Sequence, residues 1–274
     1  MTTALEHTTG NKSGVLPPGT LLQLSYLRER LGALRPGRFI EVGPGAGEIT
    51  QLLLSLGWTG RSYDLDAVTV RNLEHRFAAE IERGRYFAVQ SDYLASPSPD
   101  ERVDLVISCM VMEHLDECLE SAFMRKSLEV LSPTGIMIGL VPASPERWGI
   151  EDDIAGHCRR YTRASIERLM QQTGWSLQHL AGLTFPVSNI LLPLSNFLVN
   201  RSEKAKLNLS AIERTKSSGR RSVKFKTHFP ALLGLVLNRW SIWPMHMLQK
   251  IFKNSDKALV IYFESRPKPS LECM

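Results

Sequence analysis

Apolar positions along this chain follow two alternating periods. Leucines at 21, 24, 27, 31 and 34 have the spacing of one face of an amphipathic helix. At 39–42 the pattern changes to Phe-Ile-Glu-Val, a short β-branched and aromatic run that reads as a buried strand. Helical spacing returns at 48–56, and the exchange then repeats. Strands are predicted at 61–65, 86–90, 103–108, 136–141, 175–182 and 258–265, and helices at 68–83, 115–131 and 164–173. Strands alternating with helices build a doubly wound, mostly parallel sheet, so the expected fold class is α/β with seven strands. In such sheets ligands lie outside the carboxyl ends of the strands, where the winding reverses.

The break after the first strand is Gly43-Pro44-Gly45-Ala46-Gly47, which leads into a helix. Glycine permits the sharp turn and the close approach of a ligand. A dinucleotide fingerprint needs a third glycine where Glu48 stands, which disfavours a nicotinamide oxidoreductase. Glu41, at the end of the strand, would repel a phosphate and attract a cationic ligand such as an ammonium or a sulfonium.

Acidic-x-G-x-G-x-G, carried by Glu41, Gly43, Gly45 and Gly47, resembles motif I of the class I S-adenosylmethionine-dependent methyltransferases. The resemblance covers about residues 21–182 and the last strand, and implies S-adenosylmethionine as cofactor and an antiparallel seventh strand. Asp64, about 20 residues after the turn, is placed to accept from the ribose hydroxyls, with Leu65 beside it, while Asp66 is read as a helix N-cap. By the resemblance Asp92 takes the adenine amino group and Tyr93 offers its backbone N–H to the ring. An Asx-turn is the alternative for Asp92. Ser108 to Leu115 continues the match, with Met110, Glu113 and His114 beside the methionine half or the transfer site.

The 143–163 connection is long, and connections of this length usually carry function. Its Gly156-His157-x-Arg159-x-Tyr161-Thr162 pattern resembles that of bacterial methyltransferases acting on small molecules and sugars. His157 is the preferred acid/base group and His114 the other candidate, with Arg160, Tyr161 and Asp153 expected at the acceptor. The alternative is that His157 and Arg160 brace the loop through a carboxylate such as Asp153. No metal is expected, since Glu113, His114, Asp116 and Glu117 read as a loop and a helix start.

Composition adds an insertion to this picture. With 274 residues, 43% hydrophobic and 22% charged, the chain is an ordinary globular protein. Residues 1–19 read as a flexible leader, 20–183 with 258–267 as the cofactor domain, and 184–257 as an inserted helical, basic cap over the substrate mouth. Residues 201–228 hold nine Lys or Arg against two Glu, a local charge of +7 in a chain totalling +5, so everything else sums to −2. Apolar stretches flank that segment at 185–199 and 229–252, the first broken by Pro186 and Pro193 and too short to span a bilayer. Three readings follow: a grip on an anionic soluble acceptor such as a nucleotide sugar, a lipid-linked acceptor met at a membrane surface, or a solvated loop. The apolar flanks fit burial against the sheet or against a second subunit.

Cys109, Cys118, Cys158 and Cys273 show neither C-x-x-C nor zinc spacing, and no signal peptide opens the chain. The expected location is the cytosol, extending to the inner face of the membrane. The Pro-Pro and Pro-Cys signatures of nucleic-acid methyltransferases are absent, so a nucleic-acid partner is not expected. These features together lead to an O-methyltransferase for a small molecule, sugar or glycan intermediate. The other readings carried forward are a silent cofactor-binding scaffold and a methyltransferase for a membrane- or lipid-linked acceptor.

Overall fold

The computed structural model describes residues 15–99, 101–203 and 241–268. In chain order the elements are α1 (Pro18–Gly32), β1 (Arg38–Val42), α2 (Glu48–Ser55), β2 (Thr59–Asp64), α3 (Ala67–Arg76), α4 (Ala78–Glu82), β3 (Tyr86–Gln90) and β4 (Val103–Cys109). There follow α5 (Glu117–Val130), β5 (Leu131–Pro142), α6 (Ile150–Ala155), α7 (Arg163–Gln172), β6 (Trp175–Leu183), α8 (Val187–Glu203), α9 (Trp243–Ile251) and β7 (Val260–Pro267).

The seven strands form one sheet in the order β3-β2-β1-β4-β5-β7-β6. The first five pair in parallel, while β7 runs antiparallel to both β5 and β6. This is the expected seven-stranded fold. The winding reverses between β1 and β4, which opens the crevice at their carboxyl ends.

The central strands are buried on both faces, which is why they read as near-continuous apolar runs. Ile40, Val42, Val106, Met137 and Phe263 fill one side, under α5 and α7. Phe39, Leu105, Ile138, Leu140 and Tyr262 fill the other, with Leu27 and Leu31 of α1 and Leu52 and Leu53 of α2.

Local chemistry sets the boundaries where they differ from the expected ones. The predicted 68–83 helix is two helices, because Phe77 leaves the helical region and starts α4. The 115–131 helix begins later, since Asp116 accepts from the Leu119 N–H at 2.8 Å and caps α5. The 143–163 connection contains a helix of its own, α6.

The chain leaves β6 through α8 and reaches β7 from α9, and both helices pack on α1. Gln249 joins these pieces: its side-chain oxygen accepts from the Thr184 N–H at 3.0 Å, and its amide donates to the Leu22 carbonyl at 3.0 Å. Residues 1–14 of the expected leader and most of the basic 201–228 stretch lie outside the described residues. Among the described residues no helix is long and apolar enough to cross a membrane.

One ion pair fastens α1 to β7. Arg30 donates to both oxygens of Glu264, at 2.6 and 2.8 Å, and Tyr262 donates to the same carboxylate at 2.6 Å. Glu264 is buried while Arg30 is partly exposed, so removing the cation strands a charge that has one hydrogen bond left. Arg30→Ala is expected to lower stability by about 2 kcal/mol, read as a lower urea midpoint at unchanged slope. An unchanged midpoint would show that the pair holds nothing together.

Candidate active site

The crevice at the carboxyl ends of β1 to β4 is a cavity of about 420 Å³. Its floor is the turn after β1. Gly43, Gly45 and Gly47 all have positive φ, at 70°, 53° and 86°. Glycine is needed at each for a different reason. A Cβ on Gly43 would lie 2.4 Å from Val111, and one on Gly47 would lie 2.7 Å from Leu73 and 2.8 Å from Phe77. At Gly45 nothing stands within 4 Å, so its bare backbone faces the cavity. Gly47 seats α2 against α3 and lies outside the lining.

Glu41 also lies behind the wall. Its carboxyl is buried and accepts from Thr50 at 2.5 Å and Ser62 at 2.7 Å, tying β1 to α2 and β2. Glu41, expected to face the ligand, is not among the residues that line the cavity. Burial pushes this carboxyl up to about 7, the two hydroxyls opposing that rise.

Asp64 and Asp92 line the cavity at the ends of β2 and β3. Asp64 accepts from the Asp66 N–H at 2.8 Å, which shapes its turn, and Asp66 caps α3 through the Thr69 N–H at 3.0 Å. Asp92 accepts from the Leu94 N–H at 2.9 Å, an Asx-turn that holds it at the rim. Leu65 is exposed on the wall, and the Tyr93 ring packs between Tyr63 and Phe123. Met110 lines the cavity in a left-handed conformation, φ 55°, a strained backbone at the mouth of β4.

The opposite wall brings Glu113, His114 and His157 together. The His157 Nδ1 lies 2.8 Å from Asp152, its Nε2 lies 3.8 Å from Glu113, and its ring meets that of His114 edge-on at 4.8 Å. Burial pushes the Glu113 carboxyl up to about 8, and the charge of Asp152 adds to it. At Asp152 burial works the same way, but hydrogen bonds from His157 and Arg160 prevail and hold it down to about 2.

Arg160, Tyr161 and Asp153 lie outside this cavity. Arg160 donates to Asp152 at 2.8 Å and to the Ala143 carbonyl at 3.0 Å. Tyr161 is buried against Glu120, and Asp153 accepts from the Trp148 indole at 2.9 Å. The bracing carboxylate is therefore Asp152, at the third position of α6, whose other oxygen accepts from the Gly149 N–H at 2.8 Å. A glycine three residues before an aspartate was the only signal in the sequence for this role.

Bare backbone at Gly45, two carboxylates on adjacent strand ends and an apolar slot beside Tyr93 suit a nucleoside with a diol and an exocyclic amine. A model of a methyltransferase domain matches residues 21–180. The chain belongs to the S-adenosylmethionine-dependent methyltransferases. A 64-residue stretch of this methyltransferase is 39% identical to a Methanospirillum hungatei protein named for ribosomal RNA small subunit methyltransferase A, and covers 23% of the chain. The chain thus spans about a quarter of that relative's length, 25%. Among solved structures, a Bacillus halodurans protein assigned as a methyltransferase is similar over 90% of this chain and 99% of its own, with TM-score 0.55 and 14% identity. A Galdieria sulphuraria protein named for sarcosine dimethylglycine methyl transfer has TM-score 0.57 and 13% identity, over 92% and 85% of the two chains. At these identities the structures testify to the fold alone.

Glu41 generates a pH prediction. Its value in the unfolded chain is near 4.5 and rises on folding to about 7, so the folded state keeps the proton longer. Stability from this group therefore falls as pH rises from about 4.5 to about 7, by about 3 kcal/mol, and is level above. Glu41→Gln keeps an acceptor for Thr50 and Ser62 and has no such proton, so its urea midpoints should lose that part of the slope. Parallel slopes in the two proteins would contradict the assignment.

Proposed function

We propose that this methyltransferase acts on a hydroxyl of a small-molecule, sugar or glycan acceptor, and that the single observation carrying this reading is His157 on the cavity wall with its Nδ1 anchored by Asp152. When bound, S-adenosylmethionine supplies an electrophilic methyl carbon on a positively charged sulfur. Asp64 and Asp92 hold the ribose and adenine ends, and Gly45 lets the backbone approach. The buried Asp152 carboxylate fixes the tautomer with the proton on Nδ1, which leaves the lone pair on Nε2 of a ring that lines the cavity. A hydroxyl there can pass its proton to Nε2 as its oxygen becomes the nucleophile. The rest of the acceleration comes from aligning nucleophile, methyl carbon and sulfur.

A lipid-linked acceptor is a second reading, favoured by one observation. Ile190 and Phe197 on α8 are 75% and 61% exposed, and Trp243 and Ile251 on α9 are 59% and 75% exposed. A +7 stretch follows α8 in the sequence. Such a face suits the surface of an anionic bilayer.

Asp64→Ala is expected to weaken S-adenosylmethionine binding at least tenfold by calorimetry, about 1.4 kcal/mol. Wild-type affinity would remove Asp64 from the cofactor site. Profiling acceptors with labelled donor tests the other half: transfer to hydroxyl compounds, slowed about 100-fold in His157→Ala, is expected. Transfer confined to RNA or to peptide nitrogen would overturn the acceptor class. Co-sedimentation with anionic but not neutral vesicles would select the lipid reading.

A further inference from the structure

We propose that Glu113, His114 and His157 form a binding site for a divalent first-row transition-metal cation, open toward the acceptor side of the cavity. One ligand atom from each of the three residues lies within 4.8 Å of the others. Bond lengths of about 2.1 Å to such an ion would set the ligand atoms roughly 3.0–3.6 Å apart, a change within reach of side-chain rotation.

An independent observation asks for a cation here. Glu113 is fully buried, and neither of its carboxylate oxygens has a hydrogen-bond partner. A buried carboxylate without a donor is costly, and few folds tolerate one with nothing to offset it. The His157 Nε2 lies 3.8 Å from one of its oxygens. Asp152 accepts a hydrogen bond from the Nδ1–H, so Nε2 presents a lone pair. Two groups that can each offer an electron pair then face one another across the gap. The second-ring hydrogen bond to a carboxylate is also how metal-binding imidazoles are held, and Arg160 fixes that carboxylate in turn.

Two imidazoles and one carboxylate suit manganese, iron, cobalt or zinc better than magnesium or calcium. Three protein ligands leave coordination positions open to the cavity. The inference rests on the hydroxyl-acceptor reading for its role, and changes how the proton leaves. An acceptor hydroxyl coordinated there becomes more acidic and loses its proton to water. The oxygen's electron pair forms the C–O bond while the C–S bond breaks, its pair staying on sulfur. The ion is neither oxidised nor consumed.

The test uses the full, untagged chain, stripped with a chelator and titrated with cobalt(II) while visible ligand-field absorption is recorded. Binding of one equivalent is expected, weakened at least tenfold in Glu113→Gln and in His157→Ala and unchanged in the surface variant His75→Ala. Glu113→Gln is isosteric and removes the carboxylate ligand, and thermal melts of each variant report its folding. No cobalt bound by the wild type, or wild-type affinity in either site variant, would overturn the site and leave a proton shared between Glu113 and His157. Calorimetry with S-adenosylmethionine on the same samples separates the two claims. Cofactor binding without cobalt binding removes the metal site alone, whereas failure to bind the cofactor removes the methyl-transfer reading itself.

Discussion

The cavity wall that carries His157 is built on one buried charge, the Asp152 carboxylate. Three groups converge on it: the Gly149 N–H, the His157 ring and the Arg160 guanidinium. Each comes from a different part of the connection after β5, so a segment with little regular structure is held as firmly as a strand end. Burying an anion is unfavourable unless its lone pairs are satisfied, and here they are, with a full positive charge among the donors. His157 inherits its position and tautomer from that arrangement. Arg160 also reaches the Ala143 carbonyl, so the carboxylate links this cavity wall to the end of β5.

The cofactor side obeys a different constraint. There the side chains matter less than where the backbone can go. The three glycines of the turn share a positive φ but not a purpose: one clears Val111, one opens to the cavity, and one admits Leu73 and Phe77. Asp64 and Asp92 sit at the ends of adjacent strands because parallel pairing aligns those ends.

Much of this was legible in the residues. The alternation of periods identified the sheet, its seven strands and the crevice, because a doubly wound topology leaves few places for a ligand. Asp64, Asp92, Met110, His114 and His157 all fall on the cavity wall. What was hidden involved direction and distance in space. Glu41 occupies the motif position, yet strand alternation turns it inward to Thr50 and Ser62. Asp152 and Asp153 are neighbours with the same side chain, and only the phase of α6 decides which one meets His157. The meeting of His157 with Glu113 joins residues 44 apart by number across two strand ends, which local spacing does not reveal.

The placement of β7 carries a consequence for biogenesis. This final strand wedges between β5 and β6, pairing Met137 with Ser265 and Leu183 with Val260. On a ribosome working from the amino terminus, the crevice-forming half emerges long before the wedge does. Until then one flank of the apolar strand β5 has unpaired N–H and C=O groups, a template for mispairing with neighbouring nascent chains. The 76 residues between β6 and β7 lengthen that interval, so closure of the sheet waits on a strand far in sequence from the crevice.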